Sequence, residues 1–236
     1  MKPLFNQDQN HLSTSQKIKL VAICFLLNIV VKILSVLIIS FLKVAGYSFV
    51  LDLFLENKKM TDHYSATVSV LLLVIIYPLM EELGFRGWFS KNKWKLSVSI
   101  TMFTFYFIHI LLFYVIQNEF LNGKIAIYTI NVLVLCFIFF ISLKHYLKIK
   151  DWIEIHRKEL SIISILTFSS IHAFNYNIDF SNKNHLIAII FILLPYPIYA
   201  FLFLYVRIKA GLGWSYLLHV MGNSFVLIPV LIGEKI

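Results

Sequence analysis

Three polar clusters stand out because they interrupt stretches that are otherwise apolar. The first reads Glu81-Glu82-Leu83-Gly84-Phe85-Arg86-Gly87, the second Phe168-Ser169-Ser170-Ile171-His172, and the third His219-Val220-Met221-Gly222-Asn223. Carboxylates and imidazoles are the side chains best suited to move protons and activate water. An amide beside an imidazole can hold a water or donate hydrogen bonds to an oxyanion. As residue types, these are a hydrolytic set.

Spacing divides the roles. Adjacent residues on an α-helix point about 100° apart, so Glu81 and Glu82 cannot share one partner. Glu82 and Arg86 stand at i, i+4 with the acid first, the favoured order for a helical ion pair. Glu81 is then the carboxylate left to address a water or a substrate. Gly84 and Gly87 predict close approach of a neighbouring helix. Phe168 with His172, and His219 with Asn223, share helix faces by the same i, i+4 rule. Each cluster alone also has a plainer reading: a charged helix end, a packed histidine, an interhelical polar contact. A histidine and an amide facing one point could equally ligate a metal.

The elements that carry these clusters follow from composition. Hydrophobic residues are 59% of the 236, charged residues 14%, and the mean hydropathy is +0.81. Soluble domains are nearer half apolar and a quarter charged. The apolar residues form blocks near 20–42, 64–85, 96–116, 125–147, 159–177, 186–206 and 212–232, each of about the 20 residues a hydrocarbon core requires. Lipid admits only helices or closed barrels, and these runs do not alternate as barrel strands do. The prediction is a single all-α integral membrane domain over 1–236, a polytopic bundle of about seven transmembrane helices.

The net charge of +9 reads as topology, since no basic stripe with interleaved aromatics suggests nucleic acid. With seven spans, fourteen Lys and Arg fall on the side of the N-terminus and six on the other, predicting a cytoplasmic N-terminus. Cys24 and Cys136 sit in separate apolar blocks, against a disulfide framework or a CxxC metal site. The first block is too long for a cleavable signal core and should persist as a helix. Lys32, one turn after Asn28, makes a polar face near mid-membrane that pairs structurally or marks a cavity wall. Pro195 and Pro197 should break segment six. The amphipathic stretch Lys148–Glu159 suits the cytoplasmic membrane surface or a solvated loop helix.

Taken in order on three separate helices, Glu-Glu-x-x-x-Arg, Phe-x-x-x-His and His-x-x-x-Asn resemble the motif set of the CPBP family of intramembrane proteases, which covers type II CAAX prenyl proteases and the bacteriocin-processing or immunity (Abi) proteins. The resemblance covers roughly 64–230, with segment one outside it and 96–147 as a two-helix insertion. Phe105-Tyr106-Phe107-Ile108-His109 also spells the second motif. His172 is preferred for its surroundings, Leu166-Thr167-Phe168 through His172-Ala173-Phe174-Asn175, and because one helix then separates the second and third motifs.

What the resemblance implies is a membrane-embedded endopeptidase in which Glu81 and His172 hold and activate water. His219 and Asn223 would support the oxyanion, and Glu82 with Arg86 would be structural support. A divalent metal such as zinc on Glu81, His172 and His219 is compatible, although no HExxH is present. The implied partners are the bilayer and a membrane-associated peptide, prenylated or a leader peptide, but not nucleic acid. The implied place is a prokaryotic cell membrane, with the site towards the cytoplasm. Two alternatives stay open: a non-catalytic scaffold or immunity protein of the same fold, and a small transporter, for which inverted repeats would be expected and none is visible.

Overall fold

The computed structural model describes residues 12–44, 66–116, 121–175 and 189–231. The polar stretch 46–63 lies outside the described residues. Every described element is helical, with no strand among the described residues.

Helix α1, Thr14–Val44, begins where its sequence says it should. Gln16 N–H donates to Ser13 Oγ at 3.3 Å and Ser13 N–H donates to Gln16 Oε1 at 2.8 Å, a reciprocal capping box. From there α1 runs 31 residues, ample to cross a bilayer. Its flank is apolar and outward: Leu26, Leu37 and Phe41 are 62%, 60% and 71% exposed. Exposed apolar surface of that extent suits lipid rather than water.

By length and composition, two helices can cross a membrane, Thr14–Val44 and Ile189–Ala210. A third qualifies if Tyr128–Lys144 and Tyr146–Ile155, bent by 82° at their junction, make one broken span. The chain is thus a helical membrane protein. Helices also occupy the described residues of the remaining blocks read from the sequence.

The chain divides into two compact units, Met1–Pro78 with Ser161–Ile236, and Leu79–Leu160. In the first, α1 packs against α8 (Pro195–Ala210) and α9 (Leu212–Leu231), and α8 packs against α9. A short helix, α2 (Ala66–Val70), leads into a π-helical turn, Leu71–Ile76, which packs on α9. Cys24, Phe203, Leu204, Val206 and Leu218 form the core of this unit. At the prolines the helix Ile189–Ala210 is marked only by a turn at Leu194, whose φ −51° and ψ −37° stay helical, and Pro195 opens α8 where its missing N–H costs nothing. Gly211, at φ 106°, ends α8 in a conformation that favours glycine, and α9 starts at the next residue.

The short helix α3 (Tyr77–Glu81) leads into the second unit, where it gives way to another π turn, Glu82–Arg86, and a 3-10 turn, Gly87–Phe89. These turns pack against α4 (Lys93–Ile116), which also packs on α5 (Leu121–Lys144). The amphipathic stretch predicted over Lys148–Glu159 is not one helix. α6 ends at Ile155 and α7 (Arg157–Ile171) begins two residues later. His156 marks the joint; its Nδ1–H donates to the Trp152 carbonyl at 2.9 Å, and its ring stacks on Trp152 at 4.6 Å.

Candidate functional site

The segment expected as one α-helix over 64–85 alternates between α and π register. In the first π turn the Tyr77 N–H bonds the Leu72 carbonyl, five residues back. The next bond in that register would run from residue 78 to Leu73. Residue 78 is a proline and has no N–H to give. The Leu73 carbonyl is instead met by Asn223 Nδ2 of α9, at 2.9 Å. Tyr216, two turns earlier on α9, donates its hydroxyl to the Ile75 carbonyl at 3.2 Å. The π turn therefore presents backbone acceptors to α9, and α9 carries the donors that fill them.

His219 lies on α9 between these two anchors and is 3% exposed. Its ring stacks on Phe203 of α8 (centroids 4.4 Å apart, planes at 20°) and meets the edge of Phe168 at 6.1 Å. The α8–α9 corner is tied by Ser215 Oγ, which donates to the Phe203 carbonyl at 2.8 Å and so fixes α9 beside the residue on which His219 stacks.

His172 is not deep in a helix, as its sequence context suggested. It opens the 3-10 turn His172–Asn175 that ends α7. Its ring packs on Phe168 at 4.5 Å and on Tyr196 at 4.2 Å. His172 Nδ1 stands 2.8 Å from the Phe168 carbonyl. A carbonyl can only accept, so Nδ1 carries the proton, and in the neutral form of the ring the lone pair then lies on Nε2. Both histidines therefore pack on one phenylalanine, Phe168. The other candidate for the second motif, His109, belongs to α4, with its side chain outside the described residues.

The carboxylate cluster belongs to the second unit. Arg86 Nη1 lies 2.5 Å from Glu82 Oε1, with the two side chains 1% and 0% exposed. Glu81, next to this pair, is half-buried. Both glycines lie against α4. A Cβ at Gly87 would fall 1.7 Å from Ser99 Oγ and 2.9 Å from Ser99 Cβ, whereas one at Gly84 would meet Tyr106 Cδ2 at 3.4 Å. Phe85, fully buried, fills the seam beside Phe103 and Tyr106, at 5.8 and 5.3 Å. The Trp88 indole N–H donates to the Gly84 carbonyl.

The six motif residues thus occupy two settings. His172, His219 and Asn223 surround Phe168 and the first π turn in one unit; Glu81, Glu82 and Arg86 line the second π turn in the other. Among the described residues, no group of three or more His, Cys, Asp or Glu side chains is placed to hold a metal ion. Sequence reasoning missed the backbone acceptors of the first π turn, although Pro78 within an apolar helix was their visible signal. It also missed the aromatic partners Tyr196 and Phe203. Neither a family model, nor a curated protein, nor a solved structure matches this chain.

Proposed function

We propose that the chain is an intramembrane endopeptidase of the CPBP type, hydrolysing a peptide bond of a membrane-associated, prenylated or leader peptide. The observation that carries this reading is the gathering of His172 and His219 on Phe168, with the His172 Nε2 lone pair fixed by the Nδ1 hydrogen bond. Hydrolysis needs a base for the attacking water, donors for the oxyanion and a proton for the leaving amine. Glu81 is the carboxylate that the motif resemblance assigns to the water, and in this reading it takes the proton of the water as the oxygen adds to the scissile carbonyl. His172 orients that water through Nε2. His219 supports the oxyanion, and the proton held by Glu81 passes to the departing amine. Glu82 with Arg86 keeps the carboxylate turn in shape.

The finer topology belongs to the same reading: seven spans, a cytoplasmic N-terminus and a C-terminus outside, in a prokaryotic cell membrane. Reporter fusions at the two ends should then report opposite sides, and same-side reporters would require an even number of spans.

One observation favours a second reading, a non-catalytic binding or immunity protein of the same fold. An amide hydrogen of Asn223 already goes to Leu73, which leaves that residue less for an oxyanion. This reading predicts peptide binding without cleavage. The two separate when purified protein in liposomes is given membrane-tethered peptides and the products are analysed by mass. Cleavage that His172→Ala abolishes supports the protease; binding with no product supports the alternative.

A further inference from the structure

Helix α1 lies outside the motif-bearing part of the chain, yet it brings two polar side chains to the third motif. Lys32 Nζ donates to the carbonyl of Gly222, the residue between His219 and Asn223 on α9, and stands 5.8 Å from the centre of the Tyr199 ring. Asn28, one turn earlier on the same face of α1, is 1% exposed. Its amide lies along Gly222: a methyl placed there would be 3.5 Å from both Nδ2 and Oδ1. Asn28 Oδ1 is shut off from solvent and has no hydrogen-bond partner among the described residues.

An orphaned acceptor in a bundle core costs about 1–3 kcal/mol. An ammonium carries three N–H donors, and the Gly222 carbonyl takes one. An orphan acceptor and surplus donors, side by side on one helix face, are the partners that a buried water needs, typically two to four polar contacts. A carboxylate or phosphate fits less well, because Oδ1 would repel it. A purely structural tie between Lys32 and Gly222 explains the ammonium but not the buried amide.

We propose that Asn28 and Lys32 bind one internal water against the Gly222 turn, which accepts from Lys32 Nζ and donates to Asn28 Oδ1. This site places an exchangeable water on the flank of the turn that carries His219 and Asn223. That it supplies the hydrolytic water rests on the protease reading; that it binds water does not.

The test uses the full chain in lipid nanodiscs, labelled at glycine. With eight glycines in the sequence, the Gly222 α-protons can be assigned and their cross-relaxation with water measured. The expected result is a long-lived water contact at Gly222 in the wild type that is lost in Asn28→Leu and weakened in Lys32→Met. Asn28→Leu gives up one hydrogen bond to the water, a modest loss, and its melting curve confirms that the variant read is folded. No water contact in the wild type, or an undiminished one in Asn28→Leu, overturns the site. Turnover of a tethered peptide is the second arm. Asn28→Leu should lower kcat with KM little changed, and an unaltered kcat overturns the supply role. If the wild type cleaves nothing while the water contact depends on Asn28, the water site stands and the protease reading falls.

Discussion

Asn223 Nδ2 donates at 2.9 Å to the Leu73 carbonyl, the acceptor that in π register would need the N–H that Pro78 lacks. The side-chain amide of one helix thus completes the backbone of another. Asn223→Leu should orphan that carbonyl and lower stability by about 0.6–2 kcal/mol, the range of interhelical hydrogen bonds in membranes. The cause can be isolated by adding Pro78→Ala, which restores an N–H in the right register. In denaturant titrations of purified protein, the double variant should recover most of the loss. Simple additivity would mean that the amide matters for some other contact.

The pairing of Glu82 with Arg86 predicts a second pattern. Both groups are buried, so removing one leaves the other charged and without that partner. Arg86→Met should cost about 3–5 kcal/mol, while Glu82→Met with Arg86→Met should cost far less or stabilise. Unfolding of the single and double variants measures this directly. A double variant as unstable as Arg86→Met alone would mean the ion pair is not what that substitution breaks.

Gly84 and Gly87 were both expected to admit a close neighbour, and the distances rank them. Gly87→Ala would drive a methyl into Ser99 and should destabilise by about 1–3 kcal/mol, the usual range for overpacking. Gly84→Ala meets only ordinary contact distances and should be close to neutral. Ser99→Gly should rescue Gly87→Ala by removing both clashing atoms. Equal thermal shifts for the two alanine variants would contradict the ranking.

The His172 tautomer is open to direct observation. Nitrogen-15 spectra of histidine-labelled protein should show the neutral ring of His172 protonated at Nδ1, with Nε2 bearing the lone pair. An Nε2–H tautomer would mean that the hydrogen bond to Phe168 is not made, and His172 would lose its suitability as a base facing away from its own helix.

Much of the local chemistry was legible because it depends on spacing alone. Glu82 and Arg86 meet as their i, i+4 separation required, even though the turn that holds them is π rather than α. Phe168 and His172 pack together for the same reason, and the turn at Leu194 follows from the missing donor of the next residue, Pro195. What spacing could not show was the choice of neighbour. His219 and Asn223 share a face, but only tertiary packing decides that one stacks on Phe203 while the other reaches Leu73. The π turns were hidden too, because an apolar run such as Leu71–Ile76 carries no pattern that separates i+4 from i+5 bonding. His172 lies at the end of α7 rather than within it because the backbone tightens there into the 3-10 turn His172–Asn175, which a continuous apolar run does not reveal.

The central claim is that Glu81 activates the water that cleaves the peptide. Its most direct test is the turnover of a membrane-tethered peptide by wild type and by Glu81→Gln, which keeps the shape of the side chain and removes the base. With the melting temperature unchanged, Glu81→Gln should lose about 10²–10⁴-fold in kcat, the usual contribution of a general base. Turnover equal to that of the wild type would contradict it.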